Sequence, residues 1–254
     1  MIEGWNRIRR AMPQFQWRPT SHPMDQKVLN LKRAIRNALV DVAVGKLRSS
    51  RRVHLAYSGG VDSTLLLYLL CSAGVPVVAH TLAGDEDNLD LGHARRVLAR
   101  LQVSHMVYIR SGVSGDVTES NRVLGRESDR PDNYYILMQA IASHSDAVID
   151  GDCIDELLGG YYTHRGPDVA AFHRHMKEMV PKHLVALHRC SNEFGVTVHL
   201  PYADKKVLAC CRAFDFPELA DQTHRKKPMY EMARQMDIPS HVLDRKKMGL
   251  CSAL

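Results

Sequence analysis

The chain has 254 residues, 45% of them apolar and 24% charged, with 34 lysines and arginines against 28 acidic residues and a formal net charge of +6. Those proportions belong to a folded globular chain long enough to bury a core without staples, and they exclude a disordered, collagen-like or coiled-coil protein. No run approaches the roughly 18 apolar residues of a membrane span. Met1-Ile2-Glu3-Gly4-Trp5 is too polar for a secretory signal, so a cytoplasmic setting without membrane partners is expected.

Residues 1–24 place Trp5, Phe15 and Trp17 among Pro13, Pro19 and Pro23. This reads as an irregular arm, either a contact in a homodimer or a lid. From Asp25 to about Arg48, Val28, Leu31, Ile35, Leu39 and Val42 recur at helical spacing. A short apolar run, Val53 to Tyr57, then ends in Ser58-Gly59-Gly60 and reads as a buried strand stopped by a turn. Helices are expected over 62–72, 89–101 and 133–144, and strands over 75–81, 105–109 and 147–150. The Ser/Gly-rich stretch 111–120 is expected to be a loop at the sheet edge. After Asp150 the strand signals fade, and 152–190 and 204–236 read mostly as helix. Strands alternating with helices predict an α/β fold, a parallel twisted sheet with helices on both faces. A mostly helical C-terminal half (about 151–254) would pack on the sheet half (about 50–150).

The six cysteines form no C-x-x-C pair and read as free thiols in a reducing compartment. The basic excess suits a phosphate-bearing partner. Aromatics are only 6% and are not interleaved with the basic residues, so mild surface basicity is favoured over nucleic-acid binding. The fourteen histidines include His173, His175, His183 and His188 in an expected helix. They lack a zinc-ligand pattern and read as surface or satisfied side chains.

Chemistry concentrates at two strand ends. Ser58-Gly59-Gly60-Val61-Asp62-Ser63 joins a strand to a helix. Its glycines admit close backbone approach, and the helix start offers unpaired N–H groups, which together cradle a phosphate or pyrophosphate. The alternative is an ordinary two-glycine turn. The loop lacks the lysine-serine pair of a P-loop and carries Asp62 instead. A carboxylate beside phosphate implies Mg²⁺ between them. Ala147–Gly151 is a second strand running into glycine, followed by Asp152, Asp155 and Glu156, expected on one helix face. Capping is the bland role for such acids, and the preferred one for Glu156. At the carboxyl edge of a parallel sheet, however, Asp62 and Asp155 would meet and share a metal.

These residues carry a resemblance. The first motif resembles the pyrophosphate loop of the ATP pyrophosphatase superfamily. Gly151-Asp152-Cys153-Ile154-Asp155-Glu156-Leu157-Leu158-Gly159-Gly160-Tyr161 is similar to the second motif of glutamine-hydrolysing asparagine synthetases. Pro201–Lys206 and the ending Lys227, Pro239, Arg245, Lys247 and Gly249 are similar to further stretches of that family. The resemblance spans about Asp25 to Gly249. It implies one adenine nucleotide α-hydrolase-like synthetase domain over 25–254 and a ligase that adenylates a carboxylate with ATP, releases pyrophosphate and lets an amine displace AMP. It further implies that Ser58, Gly59, Gly60, Asp62 and Ser63 hold pyrophosphate and that Asp62 and Asp155 bind Mg²⁺. Ala56, Thr81 and Leu82 would border adenine, and Gly151 would back the nucleotide. Lys227 would stabilise charge on the α-phosphate, and Arg130 corresponds to an arginine near the acyl substrate. Arg245 and Lys247 are either phosphate contacts or a solvated basic face. Asp152 stands where asparagine synthetases carry a glutamate base and is one methylene shorter.

That family's N-terminal glutaminase domain is not expected ahead of the first strand. The expected reaction is therefore aspartate plus free ammonia to asparagine, with a separate glutaminase subunit as another nitrogen source. Two alternatives stay open. One is an adenylating enzyme of the same kind acting on another carboxylate or amine, in a metabolite, peptide or nucleobase. The other is a non-catalytic nucleotide- or RNA-binding module.

Overall fold

The computed structural model describes residues 23–47, 52–110, 115–161, 170, 172 and 184–244. Expectations for the arm 1–22, the histidines at 173, 175 and 183, Arg245 and Lys247 fall outside these residues. Helix α1 spans Pro23–Leu47. Strand β1 is Val53–Ala56, helix α2 Val61–Ser72, β2 Val77–Ala83, α3 Leu89–Leu101, β3 Ser104–Ile109, α4 Val117–Leu124, α5 Asn133–Ala142 and β4 Ala147–Ile149. Helix α6 is the single turn Ile154–Leu157. A helix α7 over 184–193 leads to β5 at Thr197–His199. After a 3₁₀ turn at Pro201–Ala203 come α8 (Lys205–Cys211), α9 (Phe216–Leu219), α10 (Lys227–Gln235) and α11 (Ser240–Leu243).

The five strands form one sheet in the order β3-β2-β1-β4-β5, every pairing parallel. From β1 the chain moves outward through β2 to β3, then returns to lay β4 on the other side of β1. The strand order therefore reverses between β1 and β4. Parallel strands joined by right-handed crossovers end on one edge, and ligands enter where the order reverses. The glycine loop follows β1 and the acidic motif follows β4, so the topology sets the two motifs side by side.

Side-chain alternation divides the core into two layers. Leu55 and Ile149 point into the larger cluster with α1, α2 and the C-terminal helices. Ala56 and Val148 point the other way, onto Tyr135, Met138 and Ile141 of α5 and Leu187 of α7. Helix α2 buries Leu65, Leu66, Leu67, Leu69 and Leu70, the pattern of a helix covered on all sides. Helices α1 and α10 pack over it. No helix among the described residues is long and apolar enough to cross a membrane. Cys71, Cys153, Cys190, Cys210 and Cys211 are free thiols.

Two elements depart from the sequence reading. Within the expected 111–120 loop, Asp116 caps a true helix, α4, by accepting from Thr118 and Glu119 N–H. Strand β5 also appears beyond the region where strand signals fade. It is three residues long and gains its ladder from β4 through Ala147↔Thr197 to Ile149↔His199, a tertiary contact that no local periodicity announces.

A row of imidazoles crosses the α5 face of the sheet. The His54 and His80 rings share a hydrogen bond of 2.7 Å (Nδ1 to Nε2), and His80 Nδ1 lies 2.8 Å from the Tyr108 hydroxyl. His80 is fully buried. Burial, with His54, His144 and His105 nearby, pushes its pKa down to about 3. The unfolded chain, with a histidine pKa of about 6.5, therefore binds a proton that the folded chain refuses. Stability should be complete above pH 6.5 and fall as the pH drops from there toward 3. This one group would contribute up to about 1.4 kcal/mol per pH unit. Urea unfolding from pH 7 to 4.5 should show that slope in the wild type and a shallower one in His80→Gln.

Candidate active site

The glycine loop is shaped by its neighbours. Gly59 has φ +69°, and a Cβ there would stand 3.2 Å from the backbone nitrogen of Ala94 in α3. Only glycine accepts both the left-handed backbone and that approach. The Ser58 hydroxyl takes the Gly60 N–H at 3.3 Å, and Ser63 Oγ donates to the Gly60 carbonyl at 3.3 Å. No side chain caps the start of α2, whose N-cap is Gly60. The first-turn N–H groups of a twelve-residue helix thus open onto the sheet edge, the geometry that receives a phosphate. Gly151 lies against the other side of this turn, its Cβ direction 3.7 Å from Ser63 N.

Asp62 sits in the first turn of α2 and is buried. Its backbone carbonyl accepts from the Tyr202 hydroxyl at 2.9 Å. Asp155 lies in α6, under the Gly159-Gly160 turn. A Cβ on Gly160 would fall 1.7 Å from Asp155 Oδ1, so that glycine is what leaves room for the carboxylate. Arg225 holds the turn by donating to the Gly160 carbonyl at 2.5 Å.

Between the two acids stands Lys226. Its ammonium lies 2.8 Å from both Asp62 oxygens and 2.7 Å from Asp155 Oδ1. The lysine is 6% exposed. Burial alone would pull its pKa down, but Asp155 and Asp62 outweigh that and leave it above the ordinary lysine value. The two acids therefore converge on one cation-sized point. Among the described residues no group of three or more His, Cys, Asp or Glu side chains could hold a metal. Two convergent carboxylates nevertheless fit Mg²⁺, which commonly takes one or two carboxylates and completes its shell with phosphate oxygens.

Lys227, the lysine singled out from the sequence, faces elsewhere. Its ammonium pairs with Asp221 at 2.6 Å and donates to the Pro217 carbonyl at 2.9 Å. Beside it, and with N–H bonds from His224 and Thr223, the Asp221 carboxyl is held well below its usual range. Lys227 is the first residue of α10, whereas Lys226 is the N-cap ahead of it, so the two side chains leave the backbone in different directions. Lys226 also adopts φ +49°, a left-handed conformation that costs a non-glycine residue about 1–2 kcal/mol.

Asp152 is not on a helix face with Asp155. Cys153 intervenes with φ +83° and ends the β4 turn before α6 begins. Asp152 instead accepts from the Tyr134 hydroxyl at 2.6 Å and gives its N–H to Asp150 at 2.8 Å. Burial first, then Asp152, pushes the Tyr134 phenol pKa up, so it stays a donor. Glu156 is 4% exposed and accepts from Tyr161 at 2.6 Å; it is a buried structural acid rather than a solvated cap. Ala56 ends β1 beside the loop. Thr81 and Leu82 are buried within β2, and the Thr81 hydroxyl donates to the Tyr57 carbonyl at 2.7 Å, which leaves no free side-chain group there for a nucleotide. Arg130, with Arg110, Arg126, Asn121 and Asn133, lines a recess of about 310 Å³.

The sequence matches the asparagine synthase family over residues 34–172 and 163–253. The chain belongs to that family. It is thus an ATP-dependent, amide-forming synthetase in class. No curated protein sequence matches it. Among solved structures it is similar to an NMN synthetase from Francisella tularensis, at 15% identity and a TM-score of 0.43, covering 89% of this chain and 75% of that one.

A buried charge stripped of its partner typically costs about 3–5 kcal/mol, an exposed pair about 0–1. Lys226→Met should therefore lower the unfolding free energy by about 3 kcal/mol, and Lys227→Ala by less than about 1 kcal/mol. Denaturant titration of the two variants checks this. Gly160→Ala should displace the Asp155 carboxylate. We expect it to lower pyrophosphate release at least tenfold while circular dichroism stays that of the wild type.

Proposed function

We propose that this chain makes asparagine from aspartate, ammonia and ATP, releasing AMP and pyrophosphate. The observation that carries the reading is the buried Lys226 ammonium between Asp62 and Asp155, beside an uncapped helix start. In this reading Ser58, Gly59, Gly60 and Ser63 hold the pyrophosphate half of ATP. Gly151 backs the nucleotide, while Ala56 and the backbone at Thr81 and Leu82 border adenine. Asp62 and Asp155 would hold Mg²⁺, which would supply neutralising charge between carboxylates and phosphates.

The chain's own groups then act in sequence. The α2 N–H groups fix the leaving pyrophosphate. The Lys226 ammonium, rather than Lys227, stabilises the charge that builds at the α-phosphate as the aspartate side-chain carboxylate attacks phosphorus and the bond to pyrophosphate breaks. Ammonia adds to the acyl-adenylate carbonyl, Asp152 takes up the proton, and AMP departs. Tyr134 holds one Asp152 oxygen and so orients the other. Arg130 at the recess suits the substrate's α-carboxylate. Nitrogen comes as free ammonia or from a separate glutaminase subunit.

One observation favours a second reading, the same adenylation on a different carboxylate. Asp152 is one methylene shorter than the family's glutamate base and is tied to Tyr134, which suits an acid that reaches further toward it than aspartate does.

Pyrophosphate release, with AMP and amide products quantified, tests both. Aspartate and ammonium should give asparagine and AMP in equal amounts. Lys226→Ala should reduce the rate about 100-fold or more, with Lys227→Ala within about threefold of wild type. Release driven by another acid, with none from aspartate, selects the second reading.

A further inference from the structure

The inward lysine has a consequence for how the site is loaded. We infer that Lys226 is the resident cation of the two-acid site and keeps a free divalent metal out until a nucleotide draws its ammonium away. The inference rests on the nucleotide-binding part of the proposed function and is independent of the acyl substrate.

The ammonium engages both oxygens of Asp62 and one of Asp155 at 2.7–2.8 Å. Those are the oxygens a divalent cation would need. The Lys226 and Asp62 side chains are 8% and 10% exposed and that of Asp155 29%, so water reaches the site only from the Asp155 side and screens two cations there poorly. A metal ion at this point would touch the ammonium, and in a low-dielectric setting that repulsion is severe. Metal and lysine are therefore alternative occupants of one site.

The chain supplies a route for the exchange. Lys226 is the residue just before α10, and that helix packs on α2, which carries Asp62 and starts at the phosphate-binding loop. A triphosphate seated on the start of α2 offers the ammonium a new anionic partner. The carboxylates are then released to the metal that arrives with the nucleotide. Lys226 thus couples metal entry to nucleotide entry.

Mn²⁺ binding without nucleotide, followed by the electron paramagnetic resonance signal of the free ion, tests this and needs no turnover. Wild type should bind Mn²⁺ weakly. Lys226→Met should bind at least tenfold more tightly, because two acids are left facing each other. Adding Asp155→Asn to Lys226→Met should abolish the gain and locate it. If Lys226→Met is unfolded without metal, recovery of its circular dichroism on adding Mn²⁺ is the same result. Lys226→Gln, which keeps the bulk and a hydrogen bond, provides a second folded variant. Wild type binding Mn²⁺ as tightly as these variants overturns the inference, as does a gain that survives Asp155→Asn. Lack of turnover with aspartate would sink the proposed substrate and leave this result standing.

Discussion

Two carboxylates and one ammonium, Asp62 and Lys226 buried and Asp155 half-buried, constrain the rest of this molecule. Removing such charges from water is costly, and the cost is offset only if each finds its partners at hydrogen-bonding distance. Asp62 depends on α2 and on Tyr202, Asp155 on the space left by Gly160, and Lys226 on the docking of α10. Three segments far apart in the chain are thereby held to one geometry. The left-handed backbone at Lys226 fits this account, since the local strain persists because the ammonium is fixed at its far end.

The same constraint explains where chemistry is placed. The strand order 3-2-1-4-5 reverses between β1 and β4, the point where parallel sheets take up ligands. The chain puts the uncapped start of α2, with Asp62 in its first turn, on the β1 side of that point and Asp155 on the β4 side. The Tyr134–Asp152 hydrogen bond then ties the start of α5 to the end of β4.

Much of this could be read from residues alone. The alternation of Val53–Tyr57 with a leucine-rich helix, and of Ala147–Ile149 with an acidic turn, announced strands feeding ligand-binding loops. The convergence of Asp62 and Asp155 followed from parallel topology. Helix α4 and strand β5 were harder, because α4 is short and lies in a glycine- and serine-rich stretch, while β5 exists only as a partner of β4. The inward lysine was harder still, because Lys226 and Lys227 are adjacent and chemically alike, and the left-handed backbone that parts their directions has no local sequence signal.

The sequence by itself determined the fold class, the two strand-end motifs and the family to which they belong, because hydrophobic period and glycine placement are local properties. Only the tertiary structure decided that Lys226 rather than Lys227 occupies the acid pair. It also placed Asp152 off the helix and against Tyr134, and Gly160 under the Asp155 carboxylate. Each of those depends on the relative placement of segments that share no local pattern. Burial of charge, which fixes which polar group must meet which, acts only once the segments have packed.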